Sequence, residues 1–338
     1  MQCEWLGERV ATANVHKAIK NVINGEEDAG WGPNATFRFP KKGGTGAIWK
    51  AVSTNLLPSK NQKYGDEFQV VGIDYEGKHL SLKNGMKVEY NTLISTMPLD
   101  ITLRMCGKNE WADGLTYSSS HIVGVGLRGV APHGKKCWLY YPEDNCPFYR
   151  CTIFSHYAEA NVPESSVKLP TLCLADGSTP PDGDDESLEG PYWSLMFEIS
   201  ESKFKPVDSS IVTLGGTAGD WPKVVLETLL GGVATELTTS SDQIVSIYHR
   251  RLEHGYPTPS LGRNAVLDEA LPWLKQQSIW SRGRFGSYKY EVANQDHSNM
   301  LGVEAVDNIL FGSREDTLTI PNVVNKDKNH EIHFSLDS

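Results

Sequence analysis

The chemistry in this chain is concentrated where arginines and tyrosines crowd together. Cys137–Arg150 reads C-W-L-Y-Y-P-E-D-N-C-P-F-Y-R, two extended pieces around a turn that carry Trp138, Tyr140 and Arg150. Arginine's planar fork binds a phosphate through two parallel bonds, and phenol hydroxyls donate to the remaining oxygens. Tyr256, in H-G-Y-P, and Tyr290 would complete such a lining. The plainer alternative is that these tyrosines are ordinary core or surface residues with one wet end. A second concentration runs from Trp280 to Phe311. Arg282 and Arg284 lie among glycines, Phe285, Tyr288 and Tyr290 follow, and the polar run Asn294–Ser298 precedes an apolar-periodic segment. There Met300, Val303, Val306 and Leu310 recur at helical spacing, with Leu301, Ala305 and Ile309 on the adjoining stripe. Asp296 and Ser298 are the expected N-caps of that helix. A helix start presents unpaired N–H groups and a partial positive charge, which suits an anionic, planar ligand such as a nucleotide or flavin. An ordinary strand, loop and surface helix would give the same pattern.

Other motifs carry less. Gly124-Val125-Gly126-Leu127-Arg128-Gly129 matches the dinucleotide fingerprint in form, but Pro132 follows too closely for the required helix, so it reads as a glycine-containing strand. Gly43-Gly44-Thr45-Gly46 lacks the third glycine, yet its backbone could approach a phosphate or a flavin edge. No G-x-S-x-G, H-E-x-x-H or P-loop occurs, and the histidines do not cluster at ligand spacing, so any difficult chemistry falls to a cofactor.

The elements that must position these residues follow from the pattern. Glu4–Asn24 reads as a helix containing Arg9, Trp31–Asn34 as a turn, Phe37–Pro40 as extended, and Ala47–Val52 as a helix. From Phe68 the period changes to two. Three strands turn at Glu76–Lys78 and at Asn84-Gly85, then lead to a buried strand, Thr92–Met97, stopped by Pro98. Further strands are expected at Ile122–Leu127, Cys137–Tyr141, Arg150–Phe154, Tyr192–Ile199 and Gln243–Arg250, with a helix over Lys223–Leu237. Asp176–Gly190 reads as a mobile acidic loop, Leu214–Trp221 as a glycine-rich connection, and the tail from Thr319 as polar and frayed.

Composition sets the bounds. The 338 residues are 39% hydrophobic and 22% charged, which is ordinary for a globular protein with a sizeable core. A net charge of −10 argues against a nucleic-acid or membrane-surface binder. Six cysteines without a C-x-x-C pair read as reduced thiols and point to the cytoplasm. The N-terminus has acids where a signal peptide needs an apolar core, and no stretch reaches membrane-span length.

Taken together, several blocks resemble the eukaryotic, fungal-type UDP-galactopyranose mutases. They are M-Q-C-E-W-L-G-E-R-V (Met1–Val10), W-G-P-N-A-T-F-R-F-P (Trp31–Pro40), G-G-T-G-A-I-W (Gly43–Trp49), Cys137–Arg150, H-G-Y-P-T-P (His254–Pro259) and Trp280–Asn308. The resemblance implies an α/β fold: a partial FAD-binding, Rossmann-like domain of the glutathione-reductase type with an inserted mixed β-sheet substrate domain. The implied division is 1–115 and 263–315 for the flavin domain, 116–262 for the sheet domain, and 316–338 for the tail. It implies an isomerase that interconverts UDP-galactopyranose and UDP-galactofuranose without net redox change, through a flavin N5–sugar adduct on reduced FAD, with NADPH as reductant and no catalytic side chain. The family also allows a homo-oligomer.

By the same resemblance, Arg9 and Arg150 would grip the diphosphate, with Tyr140, Tyr256 and Tyr290 donating to it. Asn34 would bond the galactose and Trp138 would line its pocket. Gly43, Gly44, Thr45, Arg284, Asn294, Gln295 and Ser298 would face the FAD. The pattern departs from the family in one large respect. The N-terminal third, with its G-x-G-x-x-G turn, its flavin-covering histidine loop and its uracil-binding segment, has no counterpart here, and Leu214–Trp221 looks like an insertion. The expectation is therefore a fragment that neither retains FAD nor turns over alone. The alternatives are an amine-oxidase-like FAD oxidoreductase and a non-catalytic UDP-sugar-binding remnant.

Overall fold

The computed structural model describes residues 1, 14–26, 37–181 and 187–326. In chain order the elements are α1 (Val15–Asn24), α2 (Gly46–Leu56), β1 (Val70–Asp74), β2 (His79–Leu82), β3 (Lys87–Glu89), β4 (Leu93–Ser95), α3 (Leu99–Met105) and α4 (Asn109–Asp113). Then come β5 (Tyr117–Arg128), β6 (Trp138–Tyr140), β7 (Arg150–Ile153), β8 (Cys173–Leu174), β9 (Tyr192–Glu201), β10 (Ile211–Leu214), β11 (Gly219–Pro222) and α5 (Lys223–Ala234). The chain closes with β12 (Gln243–Pro257), α6 (Arg263–Gln276), β13 (Ile279–Ser281), α7 (Gln295–Phe311), α8 (Asp316–Thr319) and α9 (Pro321–Lys326). It divides into two compact units. One comprises Met1–Phe37, Gln62–Tyr117 and Tyr256–Ser338, and the other Arg38–Asn61 and Ser118–Gly255.

The second unit is built on a six-stranded sheet in the order β6-β7-β9-β5-β12-β8. Strict alternation makes one face of it apolar: Val123, Val125 and Leu127 on β5, and Trp193, Leu195, Phe197 and Ile199 on β9. These side chains pack with Val224, Val225 and Leu229 of α5 into one core. Gly124 and Gly126 point the other way. A Cβ at Gly124 would lie 3.3 Å from the Cβ of Tyr248, and one at Gly126 would run into Ser246. The fingerprint-like glycines therefore let β12 side chains cross β5, as expected of a strand rather than a nucleotide turn.

The glycine-rich connection is the turn of a β10–β11 hairpin, and its Leu214 is buried. Asp176–Gly190 departs from the expected mobile loop at both ends. Pro180 is buried, Leu188 bridges to Leu169, and Arg128 donates to the Leu188, Glu189 and Leu169 carbonyls at 2.6, 2.9 and 2.8 Å.

In the first unit, β1, β2 and β3 form the expected meander. Its Asn84-Gly85 turn is closed by Gly85 N–H to the Leu82 carbonyl (2.9 Å) and by Met86 N–H to Asn84 Oδ1 (3.0 Å). The strand after it is shorter and less covered than expected. Only Leu93–Ser95 pairs, parallel to β13, and Ile94 is exposed while Leu93 packs against the core of this unit. Leu99 and Leu103 of α3 and Leu267, Ala270 and Leu274 of α6 bury against Ile279 and Tyr288.

Three expectations for the C-terminal stretch are corrected. Asn294, rather than Asp296 or Ser298, stands at the N-cap of α7. Of the two apolar stripes only the second is buried, through Leu301 and Ala305, while Val303, Val306 and Leu310 are exposed. The frayed tail is folded as far as Lys326, with Asn325 Nδ2 donating to the Glu291 carbonyl at 2.9 Å. Residues 327–338, and the expected helix and turn residues over 4–13 and 31–34, lie outside the described residues.

Two buried ion pairs hold this C-terminal region. Arg282 donates through Nε and Nη2 to Glu315 at 2.5 and 2.8 Å, and Arg263 donates through Nη1 and Nη2 to Glu291 at 2.9 and 3.0 Å. All four side chains are 8% exposed or less. Removing one partner strands a desolvated charge, which costs about 3–5 kcal/mol. Glu315→Ala should therefore lower the urea-unfolding free energy by about that much. A loss below about 1 kcal/mol would mean the pair is solvated.

Candidate functional site

The antiparallel register of β6, β7 and β9 creates the site. Tyr140 lies opposite Arg150, and Arg150 lies opposite Glu198. Directly opposed residues share a face of a sheet, so the three form one row across three strands. Trp138, Thr152 and Met196 form the next row on that face. The intervening Leu139, Cys151 and Phe197 belong to the core on the other side. The row grades from a buried carboxylate to an exposed phenol: Glu198 is 8% exposed at its side chain, Arg150 24%, and Tyr140 57%.

Arg150 donates to Glu198 Oε1 through Nε (2.9 Å) and through Nη2. The other carboxylate oxygen, Oε2, accepts the Tyr149 hydroxyl at 2.6 Å. Beside the row, Trp138 meets Tyr157 edge-to-face at 5.6 Å, and Tyr157 contacts Phe39 at 5.1 Å and Phe154 at 5.4 Å. Burial among these rings pushes the Tyr157 phenol well above its usual range. Of the residues expected here, Trp138, Tyr140 and Arg150 are brought together. Glu198 and Tyr149 were not expected from sequence. The signal for Glu198 was a carboxylate in the middle of a strand whose other residues, up to the terminal Glu201, are apolar or small, and a buried carboxylate is tolerated only with a partner.

A second cluster lies in the first unit. The Arg284 guanidinium sits 4.0 Å above the centre of the Tyr256 ring, and that ring lies 5.8 Å from Tyr290. The cation over the π-face fixes both groups. Arg282, two residues earlier, is committed to its buried pair with Glu315 and takes no part in an anion platform.

Asn294, Gln295 and Ser298 are together at the start of α7, where Ser298 N–H makes the first helical bond to the Asn294 carbonyl at 3.0 Å. Gly43 and Gly44, both at positive φ, and Thr45 lead into α2. Arg9 and Asn34 lie outside the described residues. Toward a flavin, the described residues thus offer helix starts and tight glycine backbone. They include no strand–glycine turn–helix cradle for a pyrophosphate, since the only fingerprint-like glycines lie within β5. Among the described residues no group of three or more His, Cys, Asp or Glu side chains is placed to hold a metal, and no helix is long and apolar enough to cross a membrane.

No protein-family model matches the chain. Among solved structures, a reduced UDP-galactopyranose mutase is 40% identical over 96% of this chain, with a TM-score of 0.79. The likeness supports the mutase family. This chain covers 63% of that mutase's length. A protein assigned as a protoporphyrinogen oxidase from Exiguobacterium sp. 255-15 is 11% identical, with a TM-score of 0.50 over 78% of this chain and 51% of its own. At that identity the likeness is one of fold. With both neighbours, the mixed α/β architecture is that of a partial flavin-binding domain joined to a β-sheet domain, as expected.

A polar network on the first half of β5, one residue from the position paired with Glu198, should give this unit a pH dependence. His121 Nε2 lies 3.2 Å from Glu201 Oε2, and His121 Nδ1 lies 3.0 Å from His249 Nε2. With Glu201 accepting from Nε2–H, the His121 Nδ1 lone pair accepts from His249. Burial lowers the His121 pKa, opposed by the bond and charge of Glu201, and burial together with His121 lowers that of His249. A histidine whose folded pKa is depressed binds fewer protons folded than unfolded. Its contribution is intact above the unfolded value near 6.5 and is lost as pH falls below it. The thermal midpoint should therefore drop on acidification from about pH 7 to pH 5.5, and less steeply in His121→Gln. An identical slope in that variant would exclude His121 as the cause.

Proposed function

We propose that this chain carries the substrate-binding sheet and part of the flavin-binding domain of a eukaryotic-type UDP-galactopyranose mutase. Its substrate would be UDP-galactose in its pyranose and furanose forms. The observation that carries the reading is the Tyr140–Arg150 pair, aligned on the sheet face opposite the core, in a chain 40% identical to a UDP-galactopyranose mutase. Arg150 would hold the diphosphate through its planar fork, and Tyr140 would donate its hydroxyl to a phosphate oxygen. Trp138, in the next row, would give the sugar an apolar wall. Tyr256 and Tyr290 would supply further phenol donors, with Arg284 set by its stacking on Tyr256. Arg9 would add a second positive charge and Asn34 a hydrogen bond to the sugar. Fixing the diphosphate in this way both orients the substrate and stabilises the charge that UDP gains as it leaves the sugar.

The cofactor of the reading is FAD in its reduced form, with NADPH as the source of electrons, in a cytoplasmic setting. When bound, reduced FAD supplies the nucleophile for the anomeric carbon, so no side chain has to. Gly43, Gly44, Thr45, Asn294, Gln295 and Ser298 would meet it. An amine-oxidase-like activity is the weaker reading, because such a site needs an apolar cage where this chain sets an arginine and a tyrosine.

Calorimetric titration of the chain with UDP tests the proposal. UDP should bind, and Arg150→Ala should weaken it about tenfold or more, the value of one or two charge-assisted hydrogen bonds. Equal binding by the variant, or none by the parent, would refute the assignment.

A further inference from the structure

We infer that Glu198 is the residue that positions Arg150 for an anionic ligand, an inference that rests on the diphosphate reading above. The carboxylate reaches Arg150 from the directly opposed position on β9. The Tyr149 backbone N–H donates to the Glu198 carbonyl at 3.1 Å, so both residues flanking this contact are tied to the same point of β9. One carboxylate oxygen accepts from both Nε and Nη2 of Arg150, and the other accepts the Tyr149 hydroxyl at 2.6 Å.

This arrangement settles the orientation of the guanidinium. A guanidinium has two bidentate edges, the side edge made by Nε with one Nη and the end fork made by both Nη atoms. Glu198 takes the side edge, which fixes the plane of the guanidinium from the β9 side of the row, with Tyr140 on the β6 side. An arginine side chain free to rotate would lose rotamer entropy on gripping a phosphate, and here that ordering precedes ligand binding. Burial of the carboxylate makes the hold firm, since an unpartnered anion at that depth is costly. Tyr149 in turn keeps Glu198 from swinging.

The opposite role is also physically available. Glu198 is an anion close to where the ligand's negative charge would lie, and it could simply oppose ligand binding. The two roles predict opposite signs, which makes them separable. As a positioner, Glu198 should be replaceable by glutamine, whose carbonyl oxygen still accepts from Nε and Nη2, but not by alanine. As a mere counter-charge, its loss in either form should tighten binding.

The experiment is UDP titration of the chain, Glu198→Gln and Glu198→Ala, alongside the NMR signal of the Arg150 Nε–H in each without ligand. The expected result is a UDP affinity within about threefold of the parent for Glu198→Gln. For Glu198→Ala it is a loss of about fivefold or more, despite the removal of a negative charge. The Nε–H signal should be sharp and slowly exchanging in the parent and Glu198→Gln, and lost in Glu198→Ala. Tighter binding in both variants, or an unchanged affinity and signal in Glu198→Ala, would overturn the inference. If the parent does not bind UDP, the diphosphate reading fails by itself, and the Nε–H signals still decide whether Glu198 orders Arg150. Matching far-ultraviolet circular dichroism separates a misfolded alanine variant from an informative one, and Glu198→Gln carries the test if alanine is not tolerated.

Discussion

Antiparallel pairing admits no half-steps: a slip of one residue would turn every side chain of a strand to the opposite face. The candidate site depends on that constraint. In the observed register Tyr140, Arg150 and Glu198 align on one face while Leu139, Cys151 and Phe197 enter the core on the other. The same hydrophobic burial that stabilises the sheet therefore fixes where the arginine points. No separate device is needed to bring together residues 48 positions apart.

The charged groups divide into two kinds by their partners. Arg263 and Arg282 are buried and closed off by bidentate carboxylates, so they serve the fold. Arg150 and Arg284 are each held along one side, by Glu198 and by the Tyr256 ring. A guanidinium fixed in this way is oriented by its holder, which suits recognition. The distinction explains why four arginines in one acidic chain have unlike roles.

Local features were legible in the sequence and distant partnerships were not. Period-two alternation located the β1–β3 meander, and local strand signals located β5, β6, β7, β9 and the start of β12. The Asn84-Gly85 turn announced its hairpin, and Pro132 identified the glycine repeat as a strand, because each of these is decided within a few residues. The buried stripe of α7 was ambiguous, since Val303 and Leu301 are equally apolar and only tertiary packing selects Leu301. Arg282 looked like part of an anion platform because its partner, Glu315, lies 33 residues away. Glu198 went unnoticed for the same reason: nothing near it in sequence shows what it faces. The frayed tail was misjudged because its polar residues conceal a side-chain bond from the Asn325 amide to the Glu291 carbonyl.

A crystal structure of this chain with UDP bound tests the central claim most directly. The account predicts diphosphate density on the sheet face that carries Arg150, within hydrogen-bond distance of the Arg150 guanidinium and the Tyr140 hydroxyl, with Glu198 still on the Nε side. Diphosphate bound elsewhere, with Arg150 making no contact to it, would contradict the account.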